Sequence, residues 1–285
     1  MRPIHTLIAF FFLLTTVSAQ AGILAQFRTV LGDIDVELFD KDKPVTVRNF
    51  VAYVQSGRYQ DTFVHRYVSN FVFQGGGFLV TQRGTTNASL DLVDTFAPIK
   101  NEYGSGNVYS NRYGTIAMAK QGGNTNSATS QWFFNLADNF FLDAHDNDHF
   151  FTVFGRVVRG TNVLNAFRSF RVWAGSAAET NVIVDYSFLF GPDFSDWPFL
   201  TGGQTYDDLL YVDISLLNVQ VQNTNGAREI SWNSVSGKTN RIEFTTTMPP
   251  VWNLLVATNG TGASMKVRDA ATGSDRRFYR VTVDY

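Results

Sequence analysis

Short runs of β-branched and aromatic residues, cut at close intervals by Gly, Asn and Asp, fill most of this chain and limit the folds open to it. Many short strands must hide their edges, so such a chain closes into a barrel or stacks into a sandwich. Gln26–Leu31 and Ile34–Phe39 meet at Gly32-Asp33. Ile34, Val36 and Leu38 alternate with Asp35 and Glu37, the two-residue period of a half-buried hairpin strand. A helix follows: Pro44 suits its first turn, Val47, Phe50, Val51 and Val54 share one face, and Gly57 ends it. The Phe- and Val-rich stretch 62–77 closes on Gln74-Gly75-Gly76-Gly77, which reads as strands ending in a tight backbone approach. Gly114–Lys120, Ser130–Leu136 and Thr152–Val158 read as further strands, Asn162–Phe167 as a short helix, and residues 82–112 as polar surface loop.

Residues 169–208 lose this rhythm and read as a loop-rich insertion broken by Gly191-Pro192 and Gly202-Gly203. Leu209–Val221 is strongly apolar and strand-like and is expected to return to the barrel as its last strand. After Asn223 short alternating runs appear at Glu229–Trp232, Asn240–Phe244, Trp252–Ala257, Ser264–Val267 and Phe278–Val283, the spacing of a small β-sandwich. The expected organisation is a targeting segment at 1–19, a barrel domain at 20–221 and a β-rich module at 222–285.

Composition narrows the function. Hydrophobic residues make up 44% and charged residues 17%, so the chain can build a core. The 26 phenylalanines suggest an aromatic-lined core or groove. A formal net charge of −2, with no basic cluster beyond a short pair, gives no electrostatic footprint for nucleic acid. Without cysteine there is no disulfide, thiol nucleophile or Cys-ligated zinc. Arg2, the apolar run Leu7–Val17 and the small residues Val17-Ser18-Ala19 read as a cleaved signal peptide. The rival reading, an uncleaved anchor, suffers because spanning takes about 20 apolar residues. No later stretch is long and apolar enough to span a membrane, so the expected location is periplasmic or extracellular.

Three segments carry the candidate chemistry. The first is Phe63-Val64-His65-Arg66 continuing to Phe71-Val72-Phe73-Gln74-Gly75-Gly76-Gly77. The second joins Ile116-Ala117-Met118-Ala119-Lys120 to Asn126-Ser127-Ala128-Thr129-Ser130-Gln131-Trp132-Phe133-Phe134-Asn135. The third is Phe141-Leu142-Asp143 followed by Val153-Phe154-Gly155. In order and spacing they resemble the cyclophilin family of peptidyl-prolyl cis/trans isomerases over residues 25–167, with a poorer match to about 221. The Asn-Ser-Ala-Thr-Ser-Gln form is similar to bacterial members. The resemblance implies a mainly β protein: a closed eight-stranded barrel capped by two helices, with the small β-sandwich-like module appended. It implies that Arg66 is the catalytic arginine, acting with Phe71 and Gln74. Phe71, Val72, Phe133 and Leu142 would line the proline pocket, Gln74 and Gln131 would bind substrate backbone, Ala119 and Lys120 would form the rim, and Phe141 would also contact substrate. No metal or cofactor is implied, and the partners are proline-containing polypeptides met by a monomer.

Val72 stands where Met is common, Lys120 where Asn or Arg is common, and Phe141 where many eukaryotic members have Trp. Phe151 occupies the spacing of a frequent histidine, with His149 two residues earlier. The resemblance fits the chemistry. Rotation about an amide meets about 18–20 kcal/mol, and no bond is broken, so neither a nucleophile nor an acid/base pair is needed. A dry pocket for the proline ring and a fixed donor that favours the twisted amide suffice. His145 and His149, four apart with three Asp among them, could hold a cation on a helix. The segment is polar and loop-like, however, and lacks the glycine of a calcium loop. The alternative function is a proline-peptide binding or chaperone module with negligible turnover. In a third reading the C-terminal module, loosely similar to fibronectin type III repeats, carries an anchoring role.

Overall fold

The computed structural model describes residues 23–143, 150–187, 195–217, 219–224, 226–234, 239–247, 250–261, 263–270 and 276–284. The expected signal peptide and the His145/His149 pair lie outside the described residues. The first part comprises β1 (Leu24–Thr29), β2 (Gly32–Leu38), α1 (Pro44–Gln55), β3 (Thr62–Val68), β4 (Val72–Thr81), β5 (Ser89–Leu92), β6 (Thr115–Met118) and β7 (Trp132–Asn135). It continues with β8 (Val153–Arg159), α2 (Thr161–Ala166), β9 (Arg171–Val172), β10 (Thr180–Val184), β11 (Trp197–Thr201) and β12 (Asp213–Leu217).

One sheet runs in the order β12-β1-β2-β8-β6-β7-β4-β3, with β5 on the far end of β4. It curls until its ends meet: the Val64 N–H donates to the Leu210 carbonyl and the Val212 N–H to the Thr62 carbonyl, each at 2.9 Å. The inward faces supply an aromatic core in which Phe27 packs edge-on against Trp132 and Phe134, with centroids 5.0 Å away in each case. Helix α1 covers one end of this core with Val47, Phe50 and Tyr53, and α2 with the turn after it covers the core with Val163, Leu164 and Phe167. No side chain of α1's own N-terminus caps it. The buried Glu102 carboxylate, from a distant loop, accepts the Val45 and Thr46 N–H groups at 3.1 and 2.7 Å. Lys43 completes the clamp, donating to the Glu102 and Tyr103 carbonyls at 2.9 and 3.0 Å. A carboxylate here satisfies donors that the first helical turn cannot and meets the positive end of the helix.

Two expectations change. Residues 169–208 are not mere loop, since β9, β10 and β11 form a three-stranded sheet of their own. Its Val182, Val184, Trp197 and Phe199, with Leu209, pack on Phe63 and Val80 of the barrel's outer face in a second apolar cluster. Strands of two to five residues are too short for a periodicity to register. The run Leu209–Val221 also divides. Asp213–Leu217 pairs with β1 as the barrel's last strand, whereas β13 (Val219–Thr224) leaves to pair with β14 (Ala227–Asn233). A strand-like run of this kind carries no sign of which of two sheets each half will join.

The remaining strands are β15 (Thr239–Thr245), β16 (Asn253–Asn259), β17 (Ser264–Asp269) and β18 (Phe278–Asp284). They complete two sheets, β13-β14-β17 and β16-β15-β18. Val219, Ile230 and Trp232 of the first and Ile242 and Val281 of the second share one core, so the module is a small sandwich.

Candidate active site

The site grows out of an irregularity in β3. The pairing of β3 with β4 slips between Val64 and Arg66, so that His65 is an extra residue. A bulge of this kind re-aims the side chains after it. Val64 and Tyr67 both enter the barrel core, and Arg66 is turned to the outer face directly opposite Gln74. Gln74 in turn lies opposite Phe133 of β7, Phe133 opposite Ala117 of β6, and Ala117 opposite Val153 of β8. Arg66, Gln74, Phe133, Ala117 and Val153 therefore form one row across five strands of the outer surface.

Around the row lies an apolar patch. Val72, Ala117, Phe133, Leu142 and Val153 pack together, with Phe39, Phe71, Tyr109, Ala119 and Phe151 against them. Phe151 meets Phe133 edge-on at 5.5 Å, and Phe71 and Phe141 stack at 5.5 Å on the border. The Arg66 guanidinium carbon is 5.9 Å from the centre of the Phe71 ring, and its side chain is 37% exposed, so the cation stands at the edge of the patch and not in bulk water. Its Nε lies 3.8 Å from Asp196 Oδ2, in the segment leading into β11.

The polar groups are equally fixed. Gln74 donates to Gln131 through a 2.6 Å amide–amide bond beside Arg66. The glycines of the Gln-Gly-Gly-Gly run make room for this arrangement. A Cβ on Gly75 would come within 2.6 Å of the Trp132 ring, and one on Gly77 within 2.9 Å of the Gln131 amide. Gly76, at φ +79°, holds a backbone shape that side-chain-bearing residues rarely adopt. His65 is fully buried against Phe78. Burial drives its pKa down to about 3, contact with Gln131 opposes the fall and the Arg66 charge adds to it, so the ring is neutral.

Beneath the patch runs a chain of buried amides. Asn139 donates to the Phe71 carbonyl at 2.9 Å and to Asn135 Oδ1 at 2.8 Å. Asn135 donates to Asn111 at 3.1 Å, and Asn111 donates to the Asp143 carboxylate at 2.7 Å. This network fixes the Phe71 turn against the short 3₁₀ helix Phe140–Asp143 that carries Phe141 and Leu142. Neither Asn111 nor Asn139 was picked out by motif reading. Both are lone asparagines in loops, a type that most often serves a turn.

The structure brings together Arg66, Phe71, Val72, Gln74, Gln131, Phe133 and Leu142. Phe141 stands on the border and is 53% exposed. Lys120 sits on the rim with its ammonium 4.7 Å from the Phe151 ring centre. The Ala119 N–H is already committed to the Gln131 carbonyl at 2.9 Å, so that donor is taken up within the sheet and is not offered to a bound peptide. Among the described residues no group of three or more His, Cys, Asp or Glu side chains could hold a metal.

A cation and two amides are thus fixed at the edge of an apolar patch, on the outside of a curled β-sheet. The family model described as cyclophilin type peptidyl-prolyl cis-trans isomerase matches residues 24–186. A peptidyl-prolyl cis-trans isomerase of Acinetobacter baylyi is 40% identical over 153 residues, 54% of this chain and 76% of its own length. Peptidyl-prolyl cis-trans isomerase A of Dickeya dadantii is 43% identical over 135 residues, 47% of this chain and 65% of that protein. A crystal structure of a cyclophilin type isomerase of Cryptosporidium parvum aligns with 68% of this chain and 96% of its own at 21% identity and a TM-score of 0.42. This chain belongs to the cyclophilin-type peptidyl-prolyl cis-trans isomerase family.

Proposed function

We propose that the chain accelerates rotation about X-Pro bonds in exported polypeptides, with the Arg66 guanidinium stabilising the twisted amide. The observation that carries this reading is the row Arg66–Gln74–Phe133, which places a permanent cation next but one to an apolar slot on three adjoining strands. Uncatalysed X-Pro exchange takes tens to hundreds of seconds. Twisting the amide removes its resonance and makes the prolyl nitrogen pyramidal and basic. A donor beside that nitrogen then binds the twisted state more tightly than the planar one, which lowers the barrier. Arginine suits the task because it stays charged and its donors are rigid.

Val72, Phe133 and Leu142 would receive the proline ring, and water displaced from their surface would strengthen the guanidinium's effect. Gln74 and Gln131 would hold the peptide backbone, and Phe141 and Lys120 would contact residues flanking the proline. The apolar run Leu7–Val17 followed by Val17-Ser18-Ala19 supports export. Among the described residues no helix is long and apolar enough to cross a membrane.

The test is a proline-peptide isomerisation assay on the wild type and Arg66→Ala together. Removal of one transition-state donor should lower turnover by about 10²–10³-fold, with peptide binding retained by nuclear magnetic resonance titration. Equal rates for the two proteins would end this mechanism. Binding without acceleration in the wild type would favour the chaperone reading instead.

A further inference from the structure

The geometry points to Asp196 as a positioning residue for Arg66, delivered by the sheet that covers the barrel's outer face. The inference rests on the reading of Arg66 as the catalytic group. Asp196 precedes β11, and its backbone is pinned to the residue after Arg66, since the Tyr67 N–H donates to the Asp196 carbonyl at 2.8 Å. Its carboxylate oxygen Oδ2 accepts a hydrogen bond from Ser195 Oγ at 3.0 Å and lies 3.8 Å from Arg66 Nε. The next residue, Trp197, is buried and meets Phe63 edge-on at 5.5 Å. Phe63 is itself three residues before Arg66 on β3. The carboxylate is thus anchored on both sides: through the backbone to β3, and through the tryptophan to the second apolar cluster.

The consequence for the guanidinium is directional. Arginine presents five N–H donors in a fixed fork. A carboxylate on the Nε side, with the Phe71 ring on another flank, leaves the terminal nitrogens as the donors free to face a substrate. The two side chains are 37% and 34% exposed, so the pair is too well solvated to matter much for folding. What it supplies is orientation, and a flexible side chain held in one rotamer loses less freedom in the transition state.

Asp196→Ala, Asp196→Asn and Asp196→Glu should be assayed beside the wild type and Arg66→Ala, with kcat and KM separated. Alanine is expected to lower kcat about tenfold, short of the roughly hundredfold that a misplaced group can cost, and to leave KM within about twofold. Asparagine keeps the shape and the Ser195 contact and should fall between alanine and the wild type; glutamate should recover most of the rate. The Arg66 Nε–H resonance should move in the alanine and asparagine variants and return toward its wild-type position with glutamate. Unchanged kcat in both Asp196→Ala and Asp196→Asn, with Arg66→Ala inactive, would overturn this inference and leave the Arg66 mechanism standing. A rate that falls only in step with the melting temperature overturns it too. Full activity in Arg66→Ala removes both.

Discussion

Strands β3 and β4 carry two apolar patches on the same outer surface, and the chain treats them in opposite ways. At one end Phe63 and Val80 are covered by Val182, Val184, Trp197 and Phe199 of the three-stranded insertion sheet, with Leu209. At the other end Val72, with Phe133, Ala117, Leu142 and Val153 from neighbouring elements, is equally buried, but among the described residues it is covered only by a border of partly exposed aromatics and by no sheet. In both patches outward residues are followed by inward core residues, Val64 after Phe63 and Phe73 after Val72, so apolar alternation alone does not distinguish them. The difference comes from what the chain lays on top. Covered, the patch adds stability by removing apolar area from water, about 25 cal/mol per Å². Without a sheet on top, and beside a cation and two amides, the second patch is the one proposed above to take a proline ring.

The comparison breaks most visibly at Trp197. Truncation to Ala empties the centre of the covered patch and should cost about 3–5 kcal/mol of stability, read from denaturant midpoints at constant slope. A loss below about 1 kcal/mol would mean that the insertion sheet lies loosely on the barrel and that the two patches are alike. Phe133→Ala on the open patch should behave the other way round. Its main effect is expected on kcat/KM, which loses roughly 1.5–3 kcal/mol of binding to the prolyl ring, about tenfold to a hundredfold, and its stability loss should stay well below that of Trp197→Ala. If the stability loss is the larger of the two and kcat/KM holds, the open patch is ordinary core.

His65, between the two patches, sharpens the picture through pH. Its pKa falls from an ordinary 6.5 to about 3 on folding, chiefly through burial. The unfolded chain therefore takes up a proton that the folded one refuses. The contribution is fully present above pH 6.5 and is lost as pH falls toward 3, at no more than about 1.4 kcal/mol per pH unit. His65→Phe should flatten that part of the stability-against-pH curve. A wild-type curve already flat between pH 6.5 and 4 would show that the ring is charged in the native state.

Much of the barrel was legible in the residues. The alternation of Ile34, Val36 and Leu38, the apolar face of α1, and five of the six strands of the C-terminal sandwich all follow from periods of two or 3.6. The ordered motif blocks located the groove, because Arg66, Gln74 and Phe133 sit in segments whose spacing fits one family. Other features had no local signature. Asp196 lies far along the chain from Arg66, and only a folded insertion brings them together. The Glu102 clamp on α1 and the Asn111–Asn135–Asn139 network are likewise long-range contacts between residues that look like loop punctuation. The insertion strands were missed because two to five residues pass through too little of a period to be recognised. The division of Leu209–Val221 has no local sign either, because strand-like hydropathy says that a segment is buried and not against what.

The bulge at His65 makes the enzyme's chemistry a matter of parity. Along a regular strand the faces alternate, so with Val64 inside, position 66 would also point inward. One supernumerary residue switches odd for even, and the guanidinium emerges where a peptide can reach it. Loss of the His65 codon would leave Val64 and Arg66 adjacent on a regular strand, with the cation still outward and Tyr67 still inward. What it would take away is the buried imidazole packed on Phe78 and the extra local twist of the strand. A gene of this kind should therefore be able to lose or regain the extra residue at position 65 without moving its arginine off the outer face.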